Sequence, residues 1–422
     1  MKTLRKPAIA LAVIMCLLIV AGAAACGTGS SDNSEERPSP DSAETNPPQP
    51  SDPTDEPTAD KTPGPKDDIT PSSPPPSPPP VDLVEYDGVV EHLFFHEVIA
   101  YPEQAFNGNS MQKGFDDNMV TVNEYNKILE SLYSNNYILV DLNDVWSEYT
   151  DENGAVRMKK NTLMLPEGKL PLVLSFDDIS FYAYMRGCGF MEKLVIGEDG
   201  EIWASGFDPD GKAVISQDLT VVTILDRFVR DHPDFSLGGA KGCIALTGYE
   251  GILGYRTNTE STDDSEAFRL NRMQEVARVR PVIQRLKETG WYFATHSYGH
   301  INLENASLER VKTDALRWMD EVGSLVGETK LFIYPFGTRL DGGDVFSTGP
   351  AFLFYHDLGF RIFASVGYEP FTRIKTDIAA VVLDRMNSDG ITLRNSRERF
   401  LRFYDAALVF DPMRPAEYGT KW

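Results

Sequence analysis

From Val89 onward the chain alternates short apolar runs with longer segments whose apolar residues recur at helical spacing, and this constrains the fold more than any other feature. Val90–His96 reads as a strand. Thr121-Val122-Asn123-Glu124 is a capping box that opens a helix carrying Tyr125, Ile128, Leu129 and Leu132 on one face. Further strands are expected at Tyr137–Val140, Leu172–Phe176, Cys243–Leu246, Trp291–Thr295, 331–334, 361–366 and 380–383. Helices are expected at 219–230, 266–289 (ending at Gly290), 307–326, 350–358 and 397–408, and a hairpin at Leu194–Trp203 around Asp199-Gly200. Such alternation predicts an α/β fold with a parallel sheet or barrel, in which reactive side chains gather at the C-terminal ends of the strands.

The first 80 residues cannot build a core. Lys2, Arg5 and Lys6 precede an uncharged run from Ala8 to Ala25, followed by Cys26. A basic start, an apolar centre and small residues at the end predict a secretory signal over 1–25. Ala23-Ala24-Ala25-Cys26 resembles a bacterial lipobox, which implies a lipid on Cys26, a membrane anchor and an extracytoplasmic location. Cleavage as an ordinary secreted protein is the alternative, and an uncleaved anchor helix a third reading. Residues 27–80 hold 16 of the 28 prolines amid Ser, Thr, Asp and Glu, so 26–82 is expected to be a disordered tether. With 40 basic against 63 acidic residues, a net charge of −23, the chain has no general footprint for nucleic acid.

Three strand ends carry polar residues. Asp177-Asp178 follows an apolar strand; adjacent carboxylates repel, and a metal would relieve one of them, although a turn or helix cap also accommodates Asp. His296 and His300 stand four apart after a second strand, and one helical turn there would aim both rings at one point; two loop histidines at strand ends are the other reading. Asp, His and His leave room for water, the pattern of an open catalytic site for one divalent ion, zinc first. Tyr334-Pro335-Phe336-Gly337 ends a third strand, and the Phe336 N–H there could face a developing oxyanion, unless the segment is a plain turn.

Taken in order, Ser175-Phe176-Asp177-Asp178, His296-Ser297-Tyr298-Gly299-His300 and Tyr334-Pro335-Phe336-Gly337 resemble the polysaccharide deacetylase family, carbohydrate esterase family 4, which carries the NodB-type domain. The resemblance spans about 88–405 and sets the expected domain at 86–422. It implies a distorted (β/α)7-type barrel and metal-dependent hydrolysis of acetyl groups on N-acetylglucosamine polymers of a cell wall or exopolysaccharide, or more rarely on O-acetylated sugars. By motif it makes Asp177 the general base and Asp178, His296 and His300 the metal ligands. The sequence departs from the family at Ile333, where Arg often orients the base, and in lacking a C-terminal Leu-x-His. Phe94-Phe95-His96-Glu97 resembles the early strand end of the circularly permuted poly-N-acetylglucosamine deacetylases. This makes His96 the expected general acid and Arg385 the replacement orienter of Asp177, with an ordinary core histidine and a structural ion pair as the alternatives. Between Asp178 and His296 the chain is longer than this family leads one to expect, and the hairpin near 194–204 and the stretch Tyr255–Glu266 are the expected insertions. Tyr334, Trp203, Tyr249 and Tyr255 are the expected sugar-binding aromatics, whereas Trp291 reads as core. Cys188 and Cys243 could pair, but Cys243 lies in an apolar strand and reads as a buried thiol. The alternative to an enzyme is a carbohydrate-binding lipoprotein that keeps the fold.

Overall fold

The computed structural model describes residues 82–259, 265–343, 345 and 348–422. The expected signal, Cys26 and the tether up to residue 81 lie outside the described residues. Seven parallel strands, β1 (Glu91–Phe95), β2 (Leu170–Asp177), β3 (Cys243–Leu246), β4 (Tyr292–Thr295), β5 (Leu331–Ile333), β6 (Ile362–Val366) and β7 (Val381–Asn387), follow one another around a closed barrel. Closure comes from β7 on β1, through Met386 opposite Leu93 and Asn387 opposite Phe94.

The barrel is distorted by two wedges. The last residues of β2 pair with β3, but its first residues, Leu170–Leu172, pair instead with the short strand Tyr137–Leu139. Likewise the first residues of β7, Val381–Leu383, pair with the antiparallel strand Thr372–Ile374 before β7 reaches β1. The barrel is therefore splayed at its N-terminal end and tight where the polar strand ends converge.

Strand alternation separates two cores. Val173, Ala245, Ala294, Leu331, Ile333, Ala364 and Leu383 fill the interior, plugged from below by Leu142, Val145 and Trp146. Leu172, Leu174, Phe176, Ile244, Phe332 and Val382 face outward into the helices. Both faces are buried, which is why the strands read as continuous apolar runs. The outer layer contains α1 (Val122–Ser134), α2 (Val221–Asp231), α3 (Glu266–Glu288), α4 (Leu308–Trp318) and α5 (Pro350–Asp357). The capping box is formed: Glu124 N–H donates to Thr121 Oγ1 (3.2 Å) and Thr121 N–H to the Glu124 carboxylate (2.8 Å). No helix among the described residues is long and apolar enough to cross a membrane.

Three expectations are corrected. The helix expected over 397–408 is broken into Arg397–Phe400 and Ala406–Val409, because Asp405 caps Ala407 and pairs with Arg397, turning the chain, and a separate helix, Gly390–Asn395, precedes it. That turn carries Arg414 into a buried cluster with Asp116 and Glu124. The helix expected over 307–326 continues from α4 only through a π-helical turn, Met319–Gly323. A hairpin, Trp146–Thr150 with Val156–Lys160, stands where no strands were expected. Cys188 and Cys243 are buried in different clusters and are not joined by a disulfide.

Glu97, just after β1, is buried; its Oε1 accepts from Val98 N–H and from Val221 N–H at the start of α2, each at 2.9 Å. Its Oε2 has no partner among the described residues. Burial lifts this carboxyl from the usual 4.5 to about 7. The folded chain therefore keeps a proton that the unfolded chain releases. The stability from this group is complete below about 4.5 and is lost as pH rises to about 7. Urea unfolding across this window should show wild type losing on the order of 3 kcal/mol relative to Glu97→Gln. Parallel curves for the two proteins would refute the assignment.

A candidate metal centre at the mouth of the barrel

Asp177 is the last residue of β2, and Asp178 turns away from it through a left-handed backbone (φ 63°) pinned by its N–H on the Ala245 carbonyl, 3.1 Å. This turn gives two adjacent carboxylates different environments. Asp177 lies inside the barrel and is gripped by both terminal nitrogens of Arg385, at 2.7 and 2.9 Å. Burial alone would raise its carboxyl, but the Arg385 guanidinium and the nearby histidines together outweigh that and hold it far below the usual range. Arg385 itself is fully buried on β7.

Asp178 faces the two histidines. Its Oδ2 is 3.5 Å from His300 Nε2, and its Oδ1 accepts from the Tyr182 hydroxyl, which also contacts Thr247 Oγ1 at 2.6 Å. His296 Nδ1 lies 2.9 Å from the Ile333 carbonyl; a carbonyl can only accept, so Nδ1 carries the proton and Nε2 presents a lone pair. One ligand atom from each of Asp178, His296 and His300 lies within 4.8 Å of the others. Burial pushes the His300 imidazole down to about 4, against the pull of Asp178, so the ring is neutral at neutral pH as a ligand must be. Two imidazole nitrogens and one carboxylate suit a zinc-like ion.

The segment between the histidines is not the helical turn expected. Ser297 and His300 both adopt left-handed backbones (φ 54° and 48°), and the loop hangs on Asp314, whose carboxylate accepts from Tyr298 N–H and Gly299 N–H, each at 2.8 Å. The rings still converge, with centroids 5.0 Å apart.

His96 directly follows β1 at the end of the barrel where Asp177 ends β2, and it donates through Nδ1 to the Asn118 carbonyl (3.0 Å). Phe336 sits in the Pro335–Gly337 turn with a left-handed backbone (φ 58°), its ring edge-on to His300 at 4.3 Å.

The expected aromatics divide. Tyr249 is half-buried and stacks on Tyr182 (5.1 Å between centroids), beside the Asp178 carboxylate. Tyr334 is buried against Phe332 and Phe363 and cannot present a face to a sugar. Tyr255 is buried as well, its hydroxyl donating to the Leu194 carbonyl at 2.9 Å. Trp203 closes its own hairpin turn by donating to Asp199 (2.9 Å). Trp291 is core, as expected. The sequence reading missed Tyr182, Thr247 and Asp314, which hold the ligands; Asp314 lies on α4 with nothing to mark it, whereas Thr247 directly follows β3 and Tyr182 stands four residues after Asp178, positions at strand ends that could have been singled out.

A family model described as polysaccharide deacetylase matches residues 264–342. No curated protein matches the chain. Among solved structures, the chain is similar to the deacetylase PplD of Streptococcus pyogenes in complex with acetate, at 15% identity, 76% of this chain, 99% of that one and a TM-score of 0.39. It is also similar to a polysaccharide deacetylase of Bacillus cereus, at 11% identity, 72% of this chain, 65% of that one and a TM-score of 0.36.

Proposed function

We propose, for a chain whose residues 264–342 match a polysaccharide deacetylase family model, a metal-dependent hydrolase that removes acetyl groups from N-acetylglucosamine units of an extracytoplasmic polymer. The observation that carries this reading is one barrel mouth holding the Asp178–His296–His300 triad, an Arg-clamped carboxylate beside it and a further histidine. When bound, a zinc-like ion supplies Lewis acidity to water and carbonyl oxygen. The chain does the rest. Arg385 keeps Asp177 ionised and aimed, so Asp177 accepts a proton as water attacks the acetyl carbon. The Phe336 N–H faces the carbonyl oxygen as charge grows on it. His96 delivers a proton from Nε2 to the sugar nitrogen as the carbon–nitrogen bond breaks, giving acetate and an amine. Tyr249 offers its half-buried ring to the sugar.

The basic start, apolar run and Cys26 support export and lipid anchoring to the outer face of the cell membrane. Cell fractionation tests this: wild type in the membrane fraction and Cys26→Ser released to the medium is the expected pair of results.

The activity is tested by acetate release from a panel of N-acetylated and O-acetylated polysaccharides. Release from N-acetylglucosamine polymers supports the reading, release only from O-acetylated ones makes the protein an esterase, and an ion-loaded protein that binds but never cleaves makes it a lectin-like module. Asp178→Ala, His296→Ala and His300→Ala should each lack a full equivalent of metal by elemental analysis. Full occupancy in any one removes that residue from the ligand set.

A further inference from the structure

Below the site, three adjacent strands contribute a buried layer. His92 on β1 lies four residues before His96 and is 6% exposed. Its Nε2 is 2.9 Å from Ser175 Oγ on β2, and Ser175 Oγ is 3.0 Å from a terminal nitrogen of Arg385 on β7. That same nitrogen donates to Asp177. An arginine can only donate, so Ser175 must accept from Arg385. His92 Nε2 is the acceptor within reach of the Ser175 hydroxyl proton, and this tautomer places the His92 proton on Nδ1, a buried atom with no partner among the described residues. Arg385 is held elsewhere by the face of Phe94, 4.1 Å from the guanidinium carbon to the ring centroid. Burial, with Arg385 nearby, pushes the His92 imidazole well below its usual range, so the ring is neutral and can accept this proton. Directly beneath lies a cavity of about 380 Å³ at the splayed end of the barrel, lined by His92, Val173, Leu383, Trp146, Val89 and Phe371.

We infer that His92 is a positioning residue for the base: by accepting from Ser175 it fixes the serine lone pair on Arg385, and thereby the angle at which the guanidinium fork presents Asp177 to the reacting water. This rests on the proposed function for its kinetic consequence and on geometry alone for its structural one. Removing the acceptor frees the Ser175 hydroxyl to rotate, and Arg385 loses one of its three fixed partners. A base that is ionised but misaimed slows turnover without weakening substrate binding.

The cavity makes the test specific, because imidazole is small against its volume and can replace the deleted ring. In His92→Ala, kcat should fall about tenfold, the scale of one lost buried hydrogen bond, with KM and metal content unchanged. Added imidazole should restore kcat, with wild type measured at the same concentrations to correct for inhibition. Val89→Trp, a change at an exposed cavity-lining position, should abolish the rescue in the His92→Ala background. Ser175→Ala should lose the same activity and not respond to imidazole, whereas Ser175→Thr, which keeps the hydroxyl, should stay active. In parallel, the side-chain 15N–H signals of Arg385 should broaden in His92→Ala and sharpen again with imidazole. An unchanged kcat, or a loss that imidazole never restores, would overturn the assignment. If the wild-type protein releases no acetate the functional reading fails, and the Arg385 signals alone then decide: the same sharp signals in wild type and variant would overturn it.

Discussion

Asp177→Asn is expected to retain its metal and lose about 10²–10⁴ of its turnover, the usual range for a missing general base. The separation of the two effects follows from the turn at Asp178. Asp178 faces His300 at 3.5 Å, while Asp177 faces Arg385 with both oxygens. The substitution therefore changes the base without replacing a ligand, although Asp177 Oδ2 lies 3.9 Å from His296 Nε2. It also has a structural cost. Asparagine offers Arg385 one acceptor where there were two, and its amide N–H then opposes a guanidinium N–H. Arg385 is fully buried, and leaving a buried charge without its partner costs about 3–5 kcal/mol. The variant should thus unfold at a lower temperature even where it is folded and metal-loaded under assay conditions. Kinetics, elemental analysis and thermal unfolding on one preparation distinguish a lost base from a lost fold. Acetate release near the wild-type rate in metal-replete protein would remove Asp177 from the mechanism.

The parts of this molecule legible in the sequence are those set by local rules. Strands buried on both faces read as apolar runs, and the capping box at Thr121 marked a real helix start. The His296–His300 pair was found for a reason that proved incomplete. Spacing suggested a helical turn, but the rings converge because left-handed residues bend the loop around Asp314, a residue on α4 with no signature of its own. Tyr334 is instructive in the opposite sense. Ile333 faces the barrel interior, so strand alternation sends Tyr334 outward to the helices; the parity was present in the sequence, and a preference for aromatics at a strand end overrode it. The same parity places Arg385 inward with Val381 and Leu383, on a strand two places from that of Ile333, the position at which the family that the motifs resemble often has its arginine. The broken C-terminal helix was not legible, because Arg414 finds Asp116 and Glu124 almost 300 residues away in sequence, and only the folded barrel brings them together.

The strongest discrimination between substrates should come from His96→Ala. An amine leaves poorly unless it is protonated as the bond breaks, so amide cleavage needs an acid and cleavage of an activated ester hardly does. The remaining histidines are committed elsewhere. His296 and His300 converge with Asp178, and His92 is locked to Ser175 below the mouth. His232 stacks on Phe228 and packs at a tilt against Tyr133 outside the barrel, and His356 lies on α5 beside Asp357. His96 alone combines a position at the mouth with a ring fixed for proton delivery, since its Nδ1–H is held by the Asn118 carbonyl and Nε2 is the nitrogen left to carry a second proton. The variant should fold and keep its metal, lose about 10²–10⁴ in turnover on N-acetylated sugar, and lose far less on an activated acetate ester. An equal loss on both substrates would instead make His96 a binding or structural residue, and the proton for the leaving nitrogen would have to come from outside the histidines.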